Sequence, residues 1–129
     1  MALRVLIVDD NASFLAAAQV VLQREGVSVA GVATTVAGAL REAARLAPDV
    51  VLVDITLAGE SGFELARRLV ELSVDGDPAV ILISTHAETD FAELINDSPA
   101  AAFLPKSELS AGALRHILDG SPRRDAPCL

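Results

Sequence analysis

Residues 3–10 read Leu3-Arg4-Val5-Leu6-Ile7-Val8-Asp9-Asp10. A run of aliphatic and β-branched residues that stops at a pair of acids is the pattern of a strand buried on both faces, as in a parallel sheet covered by helices. Downstream, Asn11 is placed to cap a helix, and Phe14, Leu15, Ala18, Val21 and Leu22 recur at helical spacing until Gly26 stops them. The same alternation then repeats. Residues 27–32 read as a strand, Val36–Leu46 as a helix, Pro48-Asp49 as a break, and residues 50–53 as a second wholly apolar strand. Residues 62–72 are helical in pattern, residues 79–83 form a strand introduced by Pro78, and Phe91, Leu94 and Ile95 mark a helix. Residues 101–104 follow Pro99 as the last strand, and Leu109, Ala113, Leu114, Ile117 and Leu118 give the last helix. Five strands alternating with five helices predict an α/β, doubly wound sheet with right-handed crossovers and helices on both faces.

The chain has 129 residues, 52% hydrophobic and 22% charged, with a mean hydropathy of +0.46. That is one domain of ordinary size, too apolar for an acidic disordered segment. The pattern places the domain in residues 1–118. Residues 119–129 are polar, contain Pro122 and Pro127, lack periodicity and read as a disordered tail. Eighteen acidic against ten basic side chains give a net charge of -8, so the positive field of a duplex-binding domain is missing and no direct nucleic-acid partner is expected. Apolar runs such as 50–53 and 79–83 fall far short of the roughly 20 residues of a membrane span, and the first residues lack the pattern of a signal peptide. The single cysteine, Cys128, cannot make an intrachain disulfide. These features together predict a cytoplasmic chain.

Ligands of open parallel sheets bind beyond the carboxyl ends of the strands. There the first strand delivers Asp9-Asp10, the third Asp54, the fourth Ser84-Thr85 and the fifth Pro105-Lys106. Lys106 is the only lysine among ten basic residues. With strand order 2-1-3-4-5 the fifth strand lies about 9.6 Å from the third, a gap that a lysine spans, while Ser84 is one strand from Asp54. Three clustered carboxylates require a cation, and hard oxygen donors suit Mg²⁺. Mg²⁺ and Lys106 together offset three negative charges, leaving Asp54 ionised as a potential nucleophile. Phosphoryl transfer needs mainly positioning and charge neutralisation, which these residue types supply.

Over residues 3–118 the chain resembles the receiver domains of two-component response regulators. The resemblance rests on Val5-Leu6-Ile7-Val8-Asp9-Asp10, on Asp54 closing an apolar strand with Gly62 eight positions later, on Ile81-Leu82-Ile83-Ser84, and on Phe103-Leu104-Pro105-Lys106. It implies a flavodoxin-like fold in which Asp54 accepts phosphate from a sensor histidine kinase, a phosphotransfer protein or a small phosphodonor. Asp9 and Asp10 would then help hold Mg²⁺ together with Asp54 and the Thr56 backbone carbonyl, and Ser84 and Lys106 would bind the phosphoryl oxygens. Ser84 and Phe103 would form the switch that remodels a partner-binding surface. Thr56, Thr85 and His86 fall at positions associated with phosphoryl lifetime.

The sequence departs from the family pattern at several points. Ala58 stands where proline is usual, so a rigid φ is missing. Pro105 precedes Lys106 rather than following it, and Ser107 is expected to cap the last helix. Ala102 replaces a frequent glycine, and Thr85 is bulkier than the usual residue.

Taken singly, these residues have plainer readings: Asp9 and Asp10 as helix caps, Ser84 as a turn residue, Phe103 as core, Lys106 as surface charge. Only the constellation promotes them. His86 has no clustered ligands for a transition metal, His116 reads as solvated, and Cys128 as incidental. Rival functions are a phosphorylation-independent interaction module, an aspartyl-nucleophile phosphatase or phosphotransferase, for which no acid-base residue is evident, and a nucleotide or flavin binder. The last would need a glycine-rich loop where Asp9-Asp10-Asn11 stands. The expected function is a stand-alone, phosphorylation-controlled switch acting on an unknown protein target. The alternative is a receiver excised from a longer regulator.

Overall fold

The computed structural model describes residues 3–57, 59–72, 78–85 and 92–120. The strands are β1 (Arg4–Val8), β2 (Ser28–Ala33), β3 (Val50–Asp54), β4 (Thr56–Leu57), β5 (Glu60–Ser61), β6 (Ala79–Ser84) and β7 (Ala102–Pro105). The helices are α1 (Ala12–Arg24), α2 (Val36–Leu46), α3 (Gly62–Glu71), α4 (Ala92–Asp97) and α5 (Ala111–Gly120). Five strands form one parallel sheet in the order β2-β1-β3-β6-β7, the order expected from the sequence, and β4 and β5 form a small antiparallel hairpin beside it.

Strand alternation sends side chains to two separate cores. Leu6, Val8, Val51, Val53, Val80 and Leu82 pack under α2 and α3, while Val5, Ile7, Val50, Leu52, Ile81 and Ile83 pack under α1 and α5. Both faces are covered, which is why β1, β3 and β6 are continuous apolar runs. Only β2, at the edge, is irregular. Val5 pairs with Val29 but Leu6 with Gly31, leaving Ala30 as an extra residue.

Side-chain oxygens start four of the helices. Asn11 accepts from Phe14 N at 3.1 Å, Thr35 from Gly38 N at 3.0 Å, Ser61 from Glu64 N at 3.3 Å, and Ser110 from Ala113 N at 3.0 Å. The last of these corrects the reading of Ser107. Residues Lys106–Glu108 turn once as a 3-10 helix, so α5 begins later and Ser110 takes the capping position. The strand ladders also run further than the apolar runs, bringing Asp54, Ser84 and Pro105 into β3, β6 and β7. Backbone pairing, here Asp54 with Ile83 and Ser84 with Pro105, does not depend on side-chain polarity. Likewise α5 continues through Asp119 and Gly120, past residue 118 where the domain was expected to end. The remaining tail, Ala58, His86 and Cys128 lie outside the described residues.

Candidate functional site

Strand β1 ends beside β3, so the turn after Val8 sets Asp9 and Asp10 against Asp54. One carboxylate oxygen from each of the three lies within 4.8 Å of the others. Asp9 is fully buried and Asp54 nearly so, whereas Asp10 is exposed and opens the cluster to solvent. Asp9 Oδ1 accepts a hydrogen bond from Asn11 N at 2.9 Å, a local turn that precedes α1, so the capping role weighed for Asp9 falls instead to Asn11.

Lys106 reaches the cluster from the turn that follows β7. Its Nζ lies 2.5 Å from Asp9 Oδ2 and 3.4 Å from Asp54 Oδ2. The Asp9 contact is a charge pair without hydrogen-bond alignment, so Oδ2 of Asp9 is buried with its hydrogen-bonding capacity unmet. The same ammonium sits 4.5 Å from the centroid of the Phe14 ring, within cation–π range. Sequence periodicity identifies Phe14 only as an apolar residue of α1. Its contact with Lys106 depends on tertiary placement and has no local signal.

Asp54 Oδ1 accepts from Thr56 N at 3.3 Å, and Oδ2 accepts from Lys106 Nζ. Burial, then the Asp9 charge, push the Asp54 carboxyl up to about 6, while Lys106 and the Thr56 amide pull against them. The carboxyl is therefore mostly ionised at pH 7 but poorly compensated. The folded chain holds this proton more tightly than the unfolded chain, so stability is fullest in acid and is lost as pH rises from the ordinary carboxylate value to about 6. Asp54→Asn is expected to be about 1–2 kcal/mol more stable than the parent above pH 7 in chelator, with the difference closing near pH 4. Urea unfolding across that range checks both size and sign.

The donor set fits a hard divalent cation. Three carboxylates converge, one of their buried oxygens lacks a hydrogen bond, and one edge is open to water, as Mg²⁺ with its retained waters prefers.

Ser84 is buried at the end of β6, the neighbour of β3, while Thr85 and Thr56 are exposed. Phe103 is half-buried and packs against the core on the α2–α3 side. Gly62 presses directly on the end of β3. A Cβ there would collide with the Asp54 carbonyl oxygen and lie 2.7 Å from Ile55 Cα. Two further links went unread in the sequence. Glu60 Oε1 accepts from Val36 N at 2.9 Å, and Glu25 Oε1 accepts from Ala111 N at 2.6 Å. Both are isolated acids with no periodic signal, and their partners lie 24 and 86 residues away.

Residues 5–119 match the response regulator receiver domain family. The chain belongs to that family. Among curated relatives, this receiver is similar to the transcriptional regulatory protein LiaR of Bacillus subtilis, at 27% identity over 96% of the chain and 60% of the relative. It is also similar to the DNA-binding response regulator MtrA of Mycobacterium tuberculosis, at 35% identity over 71% of the chain and 38% of the relative. The receiver thus spans less than two thirds of each of those proteins. Among solved structures, the signal receiver domain of the response regulator NarL from Mycobacterium tuberculosis superposes with a TM-score of 0.77 at 28% identity, covering 91% of this chain and 97% of the other. Receiver domains are signalling switches rather than conventional enzymes. They act with histidine kinases or phosphotransfer proteins and bind Mg²⁺ at an acidic pocket. Among the described residues, no helix of this receiver is long and apolar enough to cross a membrane.

Proposed function

We propose that this receiver is a phosphorylation-controlled switch whose acceptor is Asp54. The observation that carries the reading is the convergence of Asp9, Asp10 and Asp54 at the carboxyl ends of the strands, with the Lys106 ammonium set against Asp9 and Asp54. An Asp54 carboxylate oxygen attacks the phosphorus of a phosphohistidine or acyl phosphate. A P–O bond to Asp54 forms as the bond to the donor breaks, and the bonding pair leaves with the donor. Asp9, Asp10, Asp54 and the Thr56 carbonyl would hold Mg²⁺, which supplies charge neutralisation for the transferring oxygens.

The protein groups do the positioning. Burial strips water from Asp54, and the Thr56 amide fixes one of its oxygens. Lys106, paired with Asp9 before transfer, is within reach to shift toward a phosphoryl group on Asp54. Ser84, on the neighbouring strand, binds a second phosphoryl oxygen. Ser84 and Phe103 then carry the change to a partner-binding surface, with Thr56, Thr85 and His86 setting phosphoryl lifetime. The partners are a sensor histidine kinase or phosphotransfer protein and a downstream protein in the cytoplasm. The net charge of -8 argues against direct DNA contact by this domain, although MtrA, which is longer, is a DNA-binding regulator.

The test is incubation with acetyl phosphate, with and without Mg²⁺, followed by intact-mass analysis. One Mg²⁺-dependent phosphoryl adduct is expected, absent from Asp54→Asn. No adduct together with no binding of Mg²⁺ or beryllofluoride overturns the reading in favour of a phosphorylation-independent module.

A further inference from the structure

We propose that Glu60 is a positioning residue for this site: it ties the β4–β5 hairpin to the first turn of α2 and thereby fixes the backbone of Thr56. The inference rests on the metal-binding role proposed for the Thr56 carbonyl. The hairpin consists of two residue pairs, Thr56 with Ser61 and Leu57 with Glu60. A two-stranded ribbon of that length has little stability of its own, and the sequence places Ala58, not a φ-restricting proline, between its strands. Its geometry must therefore be imposed by contacts.

Three contacts do so. Leu57 is buried in the core under α2 and α3. At the base, Gly62 N donates to Ile55 O at 3.1 Å. On β5, the Glu60 carboxylate accepts from Val36 N at 2.9 Å, across 24 residues. Helix α2 has no acidic residue in its own first turn, and its cap Thr35 engages a different amide, Gly38 N. The carboxylate thus meets both a free donor and the positive end of an uncompensated helix dipole. Leu57 holds the hairpin to the core by apolar packing, and of the two hydrogen bonds only the one to Glu60 leaves the strand-to-helix connection and reaches a separate element. Thr56, opposite Ser61 and adjacent to the Leu57–Glu60 pair, also donates its amide to Asp54 Oδ1. Releasing Glu60 frees the hairpin to move the Thr56 amide and carbonyl together.

The test compares Glu60→Ala, Glu60→Gln and Thr35→Ala with the parent chain. Mg²⁺ affinity is read by calorimetry, and amide exchange of Leu57 and Val36 is read in metal-free protein. Loss of a group that orients a metal ligand commonly weakens metal binding by tenfold or more, so Glu60→Ala is expected to raise the Mg²⁺ Kd about tenfold and to speed exchange at both amides. Glu60→Gln keeps the acceptor oxygen and should stay within about twofold of the parent. Thr35→Ala loosens the start of α2 without touching the hairpin and should leave the Kd unchanged.

Parent-like Mg²⁺ affinity in Glu60→Ala overturns the inference. So does an equal loss in Glu60→Gln, which would assign the effect to charge, or in Thr35→Ala, which would assign it to α2. If the parent itself takes up no Mg²⁺, the reading of the site fails instead. The metal-free exchange of Leu57 then still decides whether Glu60 holds the hairpin.

Discussion

Lys106→Met is expected to destabilise the metal-free chain by about 3–5 kcal/mol at pH 8, the usual cost of stranding buried charge by removing its partner. The lysine side chain is 10% exposed and faces Asp9 at 0% and Asp54 at 7%, so solvent screens the cluster little. Methionine preserves most of the length of the stem, which confines the change to the ammonium and its contact with the Phe14 ring. Lys106 is one of two groups that lower the Asp54 carboxyl from where burial and Asp9 would put it. Without it, that carboxyl titrates above 6. The folded chain again binds the proton more tightly than the unfolded one. The share of the penalty that comes from Asp54 is therefore small at pH 5, where that group is mostly neutral, and complete above the raised value. The share from the closer Asp9 contact adds to it. Saturating Mg²⁺ should restore much of the loss by returning positive charge to the same oxygens. Urea titrations at pH 5 and pH 8, each in chelator and in Mg²⁺, give the four numbers needed. An equal loss in all four would mean that the lysine does not act through the charge of the acidic cluster.

Gly62→Ala is expected to cost about 3 kcal/mol, the upper end for forcing a methyl group into a filled space. Helix propensity argues the other way by about 1 kcal/mol, since Gly62 opens α3. Sterics decide the sign. The added Cβ meets the Asp54 carbonyl oxygen, lies 2.7 Å from Ile55 Cα and 2.8 Å from the Asp54 carbonyl carbon. All three are backbone atoms, so no rotamer change relieves the clash. Strand β3 and the start of α3 must separate, breaking the Gly62 N to Ile55 O bond and displacing Asp54. Lower stability should therefore come with weaker Mg²⁺ binding, measured by denaturation and calorimetry on the same sample. Parent-like stability would show that the junction yields without strain.

The readable parts of the sequence were those where one physical demand acts over several residues. Strands β1, β3 and β6 are covered on both faces, and α2 carries enough turns to show its period, so Val36–Leu46 was bounded correctly from sequence. The acids and Lys106 were legible because strand ends in a parallel sheet converge, which turns scattered positions into one place. Short elements were not legible. Thr56–Leu57 and Glu60–Ser61 are too brief to show alternation. The choice between Ser107 and Ser110 as cap depended on a single turn after Lys106 that sequence does not dictate. Contacts such as Lys106 with Phe14, or Glu60 with Val36, join residues with no shared local pattern.

The extra residue at Ala30 bears on how the molecule behaves when crowded. Strand β2 borders the sheet and carries no charged side chain, only Ser28, Val29, Ala30, Gly31, Val32 and Ala33, and Val32 is exposed. An uncharged border of this kind is a template for recruiting a foreign strand and, from there, for aggregation. The bulge interrupts the regular spacing of donors and acceptors midway, so an incoming strand in register with one half is out of register with the other. Protection of this border therefore falls to backbone geometry, and a deletion that restored the ladder is expected to promote self-association while leaving the acidic residues themselves unchanged.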